Sequence, residues 1–324
     1  MGRFTLRRLL FSLPLLLGIT FLTFLFIQIA PGDFLDNLRL NPQISRDTLR
    51  LYQEKFHLDK PFFIQYLVWL KNILHGDFGY SFSYKAPVLA VVSSRLFNTF
   101  ILSLSSLIFT WLFVIPLGVV AALNKNKLID RLLSFFSYLG ISVPTFFLAF
   151  ILLFLATFTG WIPLGGMRSI RFEEFSLLGK FFDIIKHLII PTIVLSLGSI
   201  CILQRIMRAN LLEVLGSPYI LGAKARGLSR LRIIYIHALK NALNPMITIF
   251  GYQFSALLSG AALVEIIIGW PGLGVVTLEA VRSQDIYLVM GSVLSGGFLL
   301  ILGNLLADIL LAFFDPRIRF EKDR

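Results

Sequence analysis

The side chains able to do chemistry are few in this sequence, and they do not cluster. His57, His75, His187 and His237 stand apart, none paired with another at metal-ligand spacing. No H-E-x-x-H, G-x-x-x-x-G-K-[ST] or G-x-S-x-G run occurs, so neither a phosphate cradle nor a hydrolytic centre is recognisable. The sequence thus assigns no catalytic residue, no metal ligand and no cofactor-binding residue. Two acids, Glu265 and Asp308, lie at the ends of apolar runs. An acid inside a membrane is a functional-site candidate, but at an edge water is within reach, and a cap or interface role suits both. Cys201, the sole cysteine, excludes an internal disulfide and reads as a small packing residue.

The spacing that carries information lies elsewhere, between residues 205 and 240. Ser217-Pro218 is a helix start, with Ser as N-cap and Pro at the first helical position. Gly227 supplies the stop, because glycine enters the left-handed region without penalty. The nine residues Pro218–Arg226 would form a helix of about 13 Å, too short to be stable alone. It needs a partner surface, and Gly222, Ala223 and Ala225 leave room for another protein's backbone. A second helix is expected from Ser229, with Leu231, Ile234, Tyr235, Ala238, Leu239 and Ala242 on one face and lipid as its expected contact.

The elements that hold this segment must be membrane helices. Of 324 residues, 56% are hydrophobic and 15% charged, against about 25% charged in soluble domains. Mean hydropathy is +0.81. Disorder is excluded by the same composition. Six stretches of at least 18 residues lack Asp, Glu, Lys and Arg: Leu9–Gly32, Leu96–Asn124, Leu132–Met167, His187–Gln204, Asn241–Val264 and Ile286–Ala307. A span needs about 20 apolar residues. Spans are therefore expected at 9–32, 96–124, 132–160, 187–204, 241–264 and 286–307, the third leaving the bilayer at the Gly160-Trp161-Ile162-Pro163 turn. The fold class is an all-α integral membrane protein with six transmembrane helices. The first run exceeds a signal-peptide core and no A-x-A-like site follows, so it reads as a permanent anchor.

Orientation follows from the basic residues. With segments 1–8, 125–131, 205–240 and 315–324 inside, 17 of the 30 Lys/Arg are cytoplasmic, and most of the others lie in the long 33–95 outer loop, where the rule fades. The net charge of +12 reads as orientation, and no nucleic-acid partner is implied. Both termini are expected in the cytoplasm. Pro14, Pro116, Pro144 and Pro191 sit inside spans, where proline kinks a helix or is accommodated by neighbours. Small residues recur at Ser103, Ser105 and Ser106, at Ser255, Ser259 and Gly260, and at Gly291, Ser292, Ser295, Gly296 and Gly297. Close helix packing and a polar solute path both fit them, and the sequence does not separate the two.

The run from Tyr219 to Gly227-Leu228, followed by His237-Ala238-Leu239-Lys240-Asn241-Ala242-Leu243-Asn244-Pro245, resembles the coupling signature of binding-protein-dependent ABC importer permeases. It is most similar to the first permease subunit of the dipeptide/oligopeptide/nickel family. The glutamate that opens the general Glu-Ala-Ala signature is absent, and Lys240 replaces its later proline; both fit the peptide-type variant Ala-x-Ala-x-Gly-Leu. Ala30-Pro31-Gly32-Asp33, His57-Leu58-Asp59-Lys60-Pro61, Gly76-Asp77-Phe78-Gly79-Tyr80-Ser81, Pro116-Leu117-Gly118, Ser142-Val143-Pro144-Thr145-Phe146, Glu265 through Gly274, Asn304 through Asp308 and Asp315-Pro316-Arg317 extend the likeness along almost the whole chain.

The resemblance implies the type I importer fold, with a permease core over 96–315, in a bacterial cytoplasmic (inner) membrane. It implies a transport subunit and no enzyme, with ATP and Mg held by separate ATPases. The implied partners are a second homologous permease, two cytoplasmic ABC ATPases, an extracytoplasmic solute-binding protein and the lipid bilayer. Peptides are the implied cargo, with nickel or another small solute as the alternative; an ATP-independent channel is the rival of a different class. Tyr219, Leu221, Gly222, Ala223, Lys224, Ala225, Arg226, Gly227 and Leu228 are the expected ATPase-coupling residues. Pro116, Pro144, Glu265, Pro271 and Gly272 are gating or structural candidates.

Overall fold

The computed structural model describes residues 2–29 and 60–314. In chain order the elements are α1 (Gly2–Ile29), α2 (Phe62–Leu74), a hairpin of β1 (Tyr80–Ser81) and β2 (Ala86–Pro87), α3 (Val88–Leu123), α4 (Leu128–Ser142), α5 (Thr145–Thr157) and α6 (Leu177–Leu215). Then come α7 (Pro218–Ala225), α8 (Arg230–Arg232), a π-helical turn (Ile233–Ala238), α9 (Leu239–Ala242), α10 (Asn244–Gly260), α11 (Ala262–Ile268), α12 (Leu273–Arg282) and α13 (Ile286–Phe314). Among the described residues four helices are long and apolar enough to cross a membrane: Leu10–Ile29 of α1, α3, α6 and Ile286–Leu305 of α13. The number rises to as many as six if the bent pairs α4–α5 and α11–α12 each count as one span.

Helix boundaries depart from the charge-free runs in a regular way. Such a run marks the stretch that tolerates hydrocarbon, whereas a helix continues as long as its backbone bonds do. The second run, 96–124, lies in a helix that starts at Val88, inside the expected outer loop. The fourth, 187–204, is the middle of a 39-residue helix that carries Asp183, Lys186, Arg205 and Arg208 beyond it, so the expected loop at 205–240 is still helical to Leu215. The sixth, 286–307, continues to Phe314. The third, 132–160, is not one helix: α4 ends at Ser142, α5 begins at Thr145, and the two axes meet at 103°. Pro144 causes the break, since it has no N–H to donate and holds Val143 extended (ψ 120°). The fifth, 241–264, is interrupted at Ala261, and Glu265 falls inside α11 and not after the span. Pro14, Pro116 and Pro191 remain inside continuous helices. Residues 30–59, with His57 and the Ala30–Asp33 motif, and the tail 315–324 lie outside the described residues.

The chain forms two compact units. The first holds the described residues up to Thr99 and Pro271–Ile301. Its core has Phe24, Tyr66, Trp69 and Met290 in one cluster and Val88, Val92, Val276, Ala280 and Leu288 in another. Asp285, fully buried, accepts from Ser81 Oγ (2.7 Å), the Ser83 N–H (3.0 Å) and the Leu288 N–H (3.2 Å), so one carboxylate caps α13 and pins the hairpin.

The second unit holds Phe100–Trp270 and continues from Leu302. Here α3 and α6 approach closely. A Cβ on Gly118 would stand 2.6 Å from Met207 Cβ, so only glycine fits. Ser105 Oγ and Thr192 Oγ1 share a 2.8 Å hydrogen bond, and Ser196 donates to the Ser106 carbonyl at 3.0 Å. For Ser105 and Ser106 the small-residue signal is thus at least helix packing.

Candidate coupling site

The short helix α7 is framed by two backbone devices. At its entry Ser217 is extended (φ −70°, ψ 151°) and Pro218 takes the first helical position. The Ser217 hydroxyl does not cap α7 as its type suggests; it donates to the Val214 carbonyl at 2.6 Å and closes the end of α6 instead. At its exit the Gly227 N–H donates to Lys224 O (2.9 Å) and the Leu228 N–H to Ala223 O (3.3 Å), with Gly227 at φ +76°. That is the Schellman pattern, complete with its apolar contact, since Leu228 packs on the cluster that contains Ala223. The left-handed stop expected at Gly227 is present.

The helix has two unlike faces. Ile220 and Ala223, three residues apart, are 0% and 3% exposed and enter a cluster with Met207, Leu211, Ile233, Ala238, Ala242 and Met246. Tyr219, Leu221, Gly222, Lys224, Ala225, Arg226 and Gly227 all lie on the exposed side, with Tyr219 45% and Leu221 55% exposed. Among the described residues nothing stands within 4 Å of a Cβ placed on Gly222 or Gly227. Ala223 therefore corrects the expectation that it offers small bulk to a partner: it is part of the seat. Ile220, absent from the expected coupling residues, is the main anchor. Its signal was available as the one large apolar residue paired at i+3 with an alanine.

The seat owes its shape to the π-helical turn. A regular amphipathic helix from Ser229 would bury Leu231 and Tyr235, yet these are 68% and 56% exposed. With i to i+5 bonding, Ile233 and Ala238 come onto one face, and Ile234 and Ala242 join the buried set. Asn241 Nδ2 then reaches the Tyr219 hydroxyl at 2.6 Å, fixing the aromatic ring of α7 from α9. Below, Arg208 of α6 makes two bonds to Asp130 of α4, at 2.6 and 2.8 Å, and the Asn126 N–H adds a third at 2.9 Å. Thus α7 leads directly out of a helix that is itself clamped to its neighbour.

The gating candidates are divided between the two units, Pro116, Pro144 and Glu265 in the second and Pro271 and Gly272 in the first. Pro116 is exposed on the stretch of α3 whose Val114 and Val119 belong to the cluster under α7. Pro144 is exposed at the α4–α5 break. Glu265 is 0% exposed, which corrects the expectation that edge placement leaves it within reach of water. Its carbonyl accepts from the Trp270 N–H at 2.9 Å across the left-handed Gly269. In the first unit the Pro271 carbonyl accepts from Asn98 at 2.8 Å, and Gly272 precedes α12, whose Leu273 N–H donates to Thr99 Oγ1 at 2.8 Å. These two are structural ties. Among the described residues no group of three or more His, Cys, Asp or Glu could hold a metal ion.

Comparison with known proteins places these features in context. Residues 114–320 match the family described as binding-protein-dependent transport system inner membrane component, and residues 1–105 match its N-terminal companion. The chain is 39% identical to the oligopeptide transport system permease protein AppB of Bacillus subtilis (strain 168), covering 99% of this chain and 100% of that one. It is 35% identical to the dipeptide transport system permease protein DppB of Escherichia coli (strain K12), again over 99% and 100%. Among solved structures, a chain of the MetNI methionine ABC transporter in inward-facing conformations is similar at TM-score 0.52 and 15% identity, over 70% of this chain and 97% of that one, a likeness of fold alone.

Proposed function

We propose a coupling mechanism from one premise: this chain belongs to the family of binding-protein-dependent transport system inner membrane components. It is a membrane transport subunit. Its cargo is peptide, a reading supported by near-full-length identity to oligopeptide, dipeptide and di/tripeptide permeases. Nothing in the residues favours nickel over peptide.

The finer assembly is our reading. The exposed side of α7 docks on a separate cytoplasmic ATPase, which holds ATP and Mg; a second homologous permease completes the path, a second ATPase serves it, and an external binding protein delivers the solute. Both termini and the 205–240 segment face the cytoplasm. The single observation that carries this is the division of α7 into a buried anchor and an open outer side. A helix of eight residues has no stability of its own, so it moves with the cluster beneath it. A push on α7 is therefore a push on α6, and through the Arg208–Asp130 clamp on α4. The ATPase must hold α7 differently in its two states, since a partner with no differential contact shifts nothing. Purification of the chain with its neighbouring gene products tests the assembly: an ATPase should copurify with the wild type and be lost when Leu221 and Ala225 are both changed to Asp. Retention of the ATPase by that variant would reject the docking surface.

A further inference from the structure

Arg205 is the first charge after the charge-free stretch His187–Gln204 of α6. One turn further on, Arg208 is neutralised by Asp130, the only acid of α4. Arg205 makes no ion pair among the described residues. Its guanidinium lies instead over the ring of Tyr138 of α4, with Cζ 4.2 Å from the ring centre, and its Nη2 donates to the Tyr138 hydroxyl at 3.0 Å. An aromatic face holds a planar guanidinium in place without neutralising it. The bond to the hydroxyl uses one of five N–H donors, and the hydroxyl, having accepted, keeps its own O–H to give. Tyr138 is 57% exposed, so both groups are presented at the surface of the unit.

The pair is not needed to join the two helices. The Asp130–Arg208 bonds do so at one level, and Ser137 Oγ donates to Gln204 Oε1 at 2.8 Å at the next. Gly140 then lies so close to Cys201 that a Cβ would stand 2.5 Å from Sγ. The surroundings of the pair are those of hydrocarbon. Phe135 and Ile141, one turn to either side of Tyr138, and Ile202, one turn before Arg205, are all exposed. Arg131, two turns before Tyr138 on the same stripe of α4 and about 10 Å away along the axis, is exposed and also makes no ion pair among the described residues.

A long cationic side chain at the margin of an apolar stretch reaches for the headgroup layer. A guanidinium beside a hydroxyl is a donor set that matches the oxygens of a phosphate. We propose that Arg205 and Tyr138 form a binding site for the phosphate of an anionic phospholipid, with Arg131 adding positive charge at its rim and Phe135, Ile141 and Ile202 lying along the acyl chains. A protein partner would have to insert an acid among exposed apolar side chains, whereas a phospholipid carries anion and hydrocarbon together. On the orientation proposed above, the lipid belongs to the cytoplasmic leaflet. The site goes beyond the transport reading and depends on neither the cargo nor the ATPase.

The test uses the purified full-length chain with the subunits that copurify, delipidated in detergent and titrated with dioleoylphosphatidylglycerol or dioleoylphosphatidylcholine. Native mass spectrometry reads the binding. The wild type should prefer phosphatidylglycerol, and Arg205→Gln should weaken that lipid about ten-fold, the loss expected for a charge-assisted bond, while leaving phosphatidylcholine unchanged. Tyr138→Phe keeps the ring under the guanidinium and removes the hydroxyl, so a loss of about three-fold is expected. Equal affinity of the wild type for the two lipids overturns the proposal, as does wild-type phosphatidylglycerol binding by either variant. Displacement of the lipid by millimolar glycerol 3-phosphate would assign the site to a soluble phosphate and overturn it too. A second readout separates binding from packing. Phosphatidylglycerol should raise the unfolding temperature of the wild type, and Arg205→Gln should lose most of that rise while matching the wild type in phosphatidylcholine. Unfolding of the variant at a lower temperature in both lipids alike would make the pair a structural tie and overturn the proposal.

Discussion

Replacing Ile220 with alanine separates the seat of α7 from its outer side. Ile220 is fully buried, and it is the only large side chain that α7 sends into the cluster formed with Met207, Leu211, Ile233 and Met246. Burying such a side chain is worth about 1.5–3 kcal/mol, and truncating it to alanine in a packed site costs about 2–5 kcal/mol once the residual cavity is included. The other inward residue is Ala223, whose single methyl group is worth about 0.8 kcal/mol, the increment of one buried CH₂-sized group. Nothing else in α7 can make up the loss, so the penalty falls on local docking of the helix. At about 1.4 kcal/mol per factor of ten, a loss of about 3 kcal/mol raises the open population roughly 100-fold. Hydrogen exchange followed by mass spectrometry on the 215–228 segment in lipid nanodiscs reads this directly. Ile220→Ala should lose protection at the Gly227 and Leu228 amides, whose acceptors are Lys224 and Ala223. The reference is Leu221→Ala, which is 55% exposed and should change exchange little while lowering uptake in the assembled transporter. Wild-type exchange in Ile220→Ala would refute the claim that one side chain seats the helix.

Four further outcomes follow from the geometry. Asp130→Asn leaves at most one of the two bonds with Arg208 and removes the carboxylate charge beside a partly buried guanidinium; a loss of about 1.5–3 kcal/mol, seen as a lower unfolding temperature in detergent, is expected. Gly118→Ala puts a methyl group 2.6 Å from Met207 and 3.2 Å from the Gln204 carbonyl, so α3 and α6 must part; about 1–3 kcal/mol of destabilisation should appear in the same assay. At Gly227 the positive φ disfavours L side chains by about 1–2 kcal/mol, Asn least, while space is open. Uptake should therefore fall in the order Gly, Asn, Ala, Val if strain alone acts. A complete loss with Asp beside a tolerated Asn would locate the effect in partner contact. Asp285→Ala removes three hydrogen-bond acceptor contacts at once, and limited proteolysis should then cut the 80–87 hairpin faster than in the wild type.

What was legible in the sequence was whatever one local pattern decides. Pro218 and Gly227 bracket α7 because a fixed φ and a left-handed φ are properties of single residues. The apolar runs located helices because hydrocarbon excludes charge along a contiguous stretch. What was not legible depends on registers that several segments set together. The Ser217 hydroxyl had two backbone targets within reach and took the one behind it. The burial of Ile233 in place of Tyr235 needs a π-helical turn, and no residue type announces one. Ala223 turned inward, and Ile220 became the anchor, because the surface beneath α7 is shared among α3, α6, the π-helical turn, α9 and α10, whose joint register no local pattern sets. Helix ends outran the charge-free runs for a related reason: Asp130 and Arg208 neutralise each other across two helices, so neither stops its own.

On the proposed reading, the exposed side of α7 is the handle through which a separate ATPase drives this chain. The most direct measurement is distance-restricted thiol cross-linking from Lys224→Cys, in a Cys201→Ala background, to the copurified ATPase, with ATP hydrolysis and peptide uptake recorded on the same proteoliposomes. A cross-link to the ATPase is expected, with a yield that changes when ATP binds, and uptake should fall as cross-linking proceeds. Full uptake in vesicles that contain no ATPase, or a fully cross-linked handle that leaves ATP-driven uptake untouched, would contradict that reading.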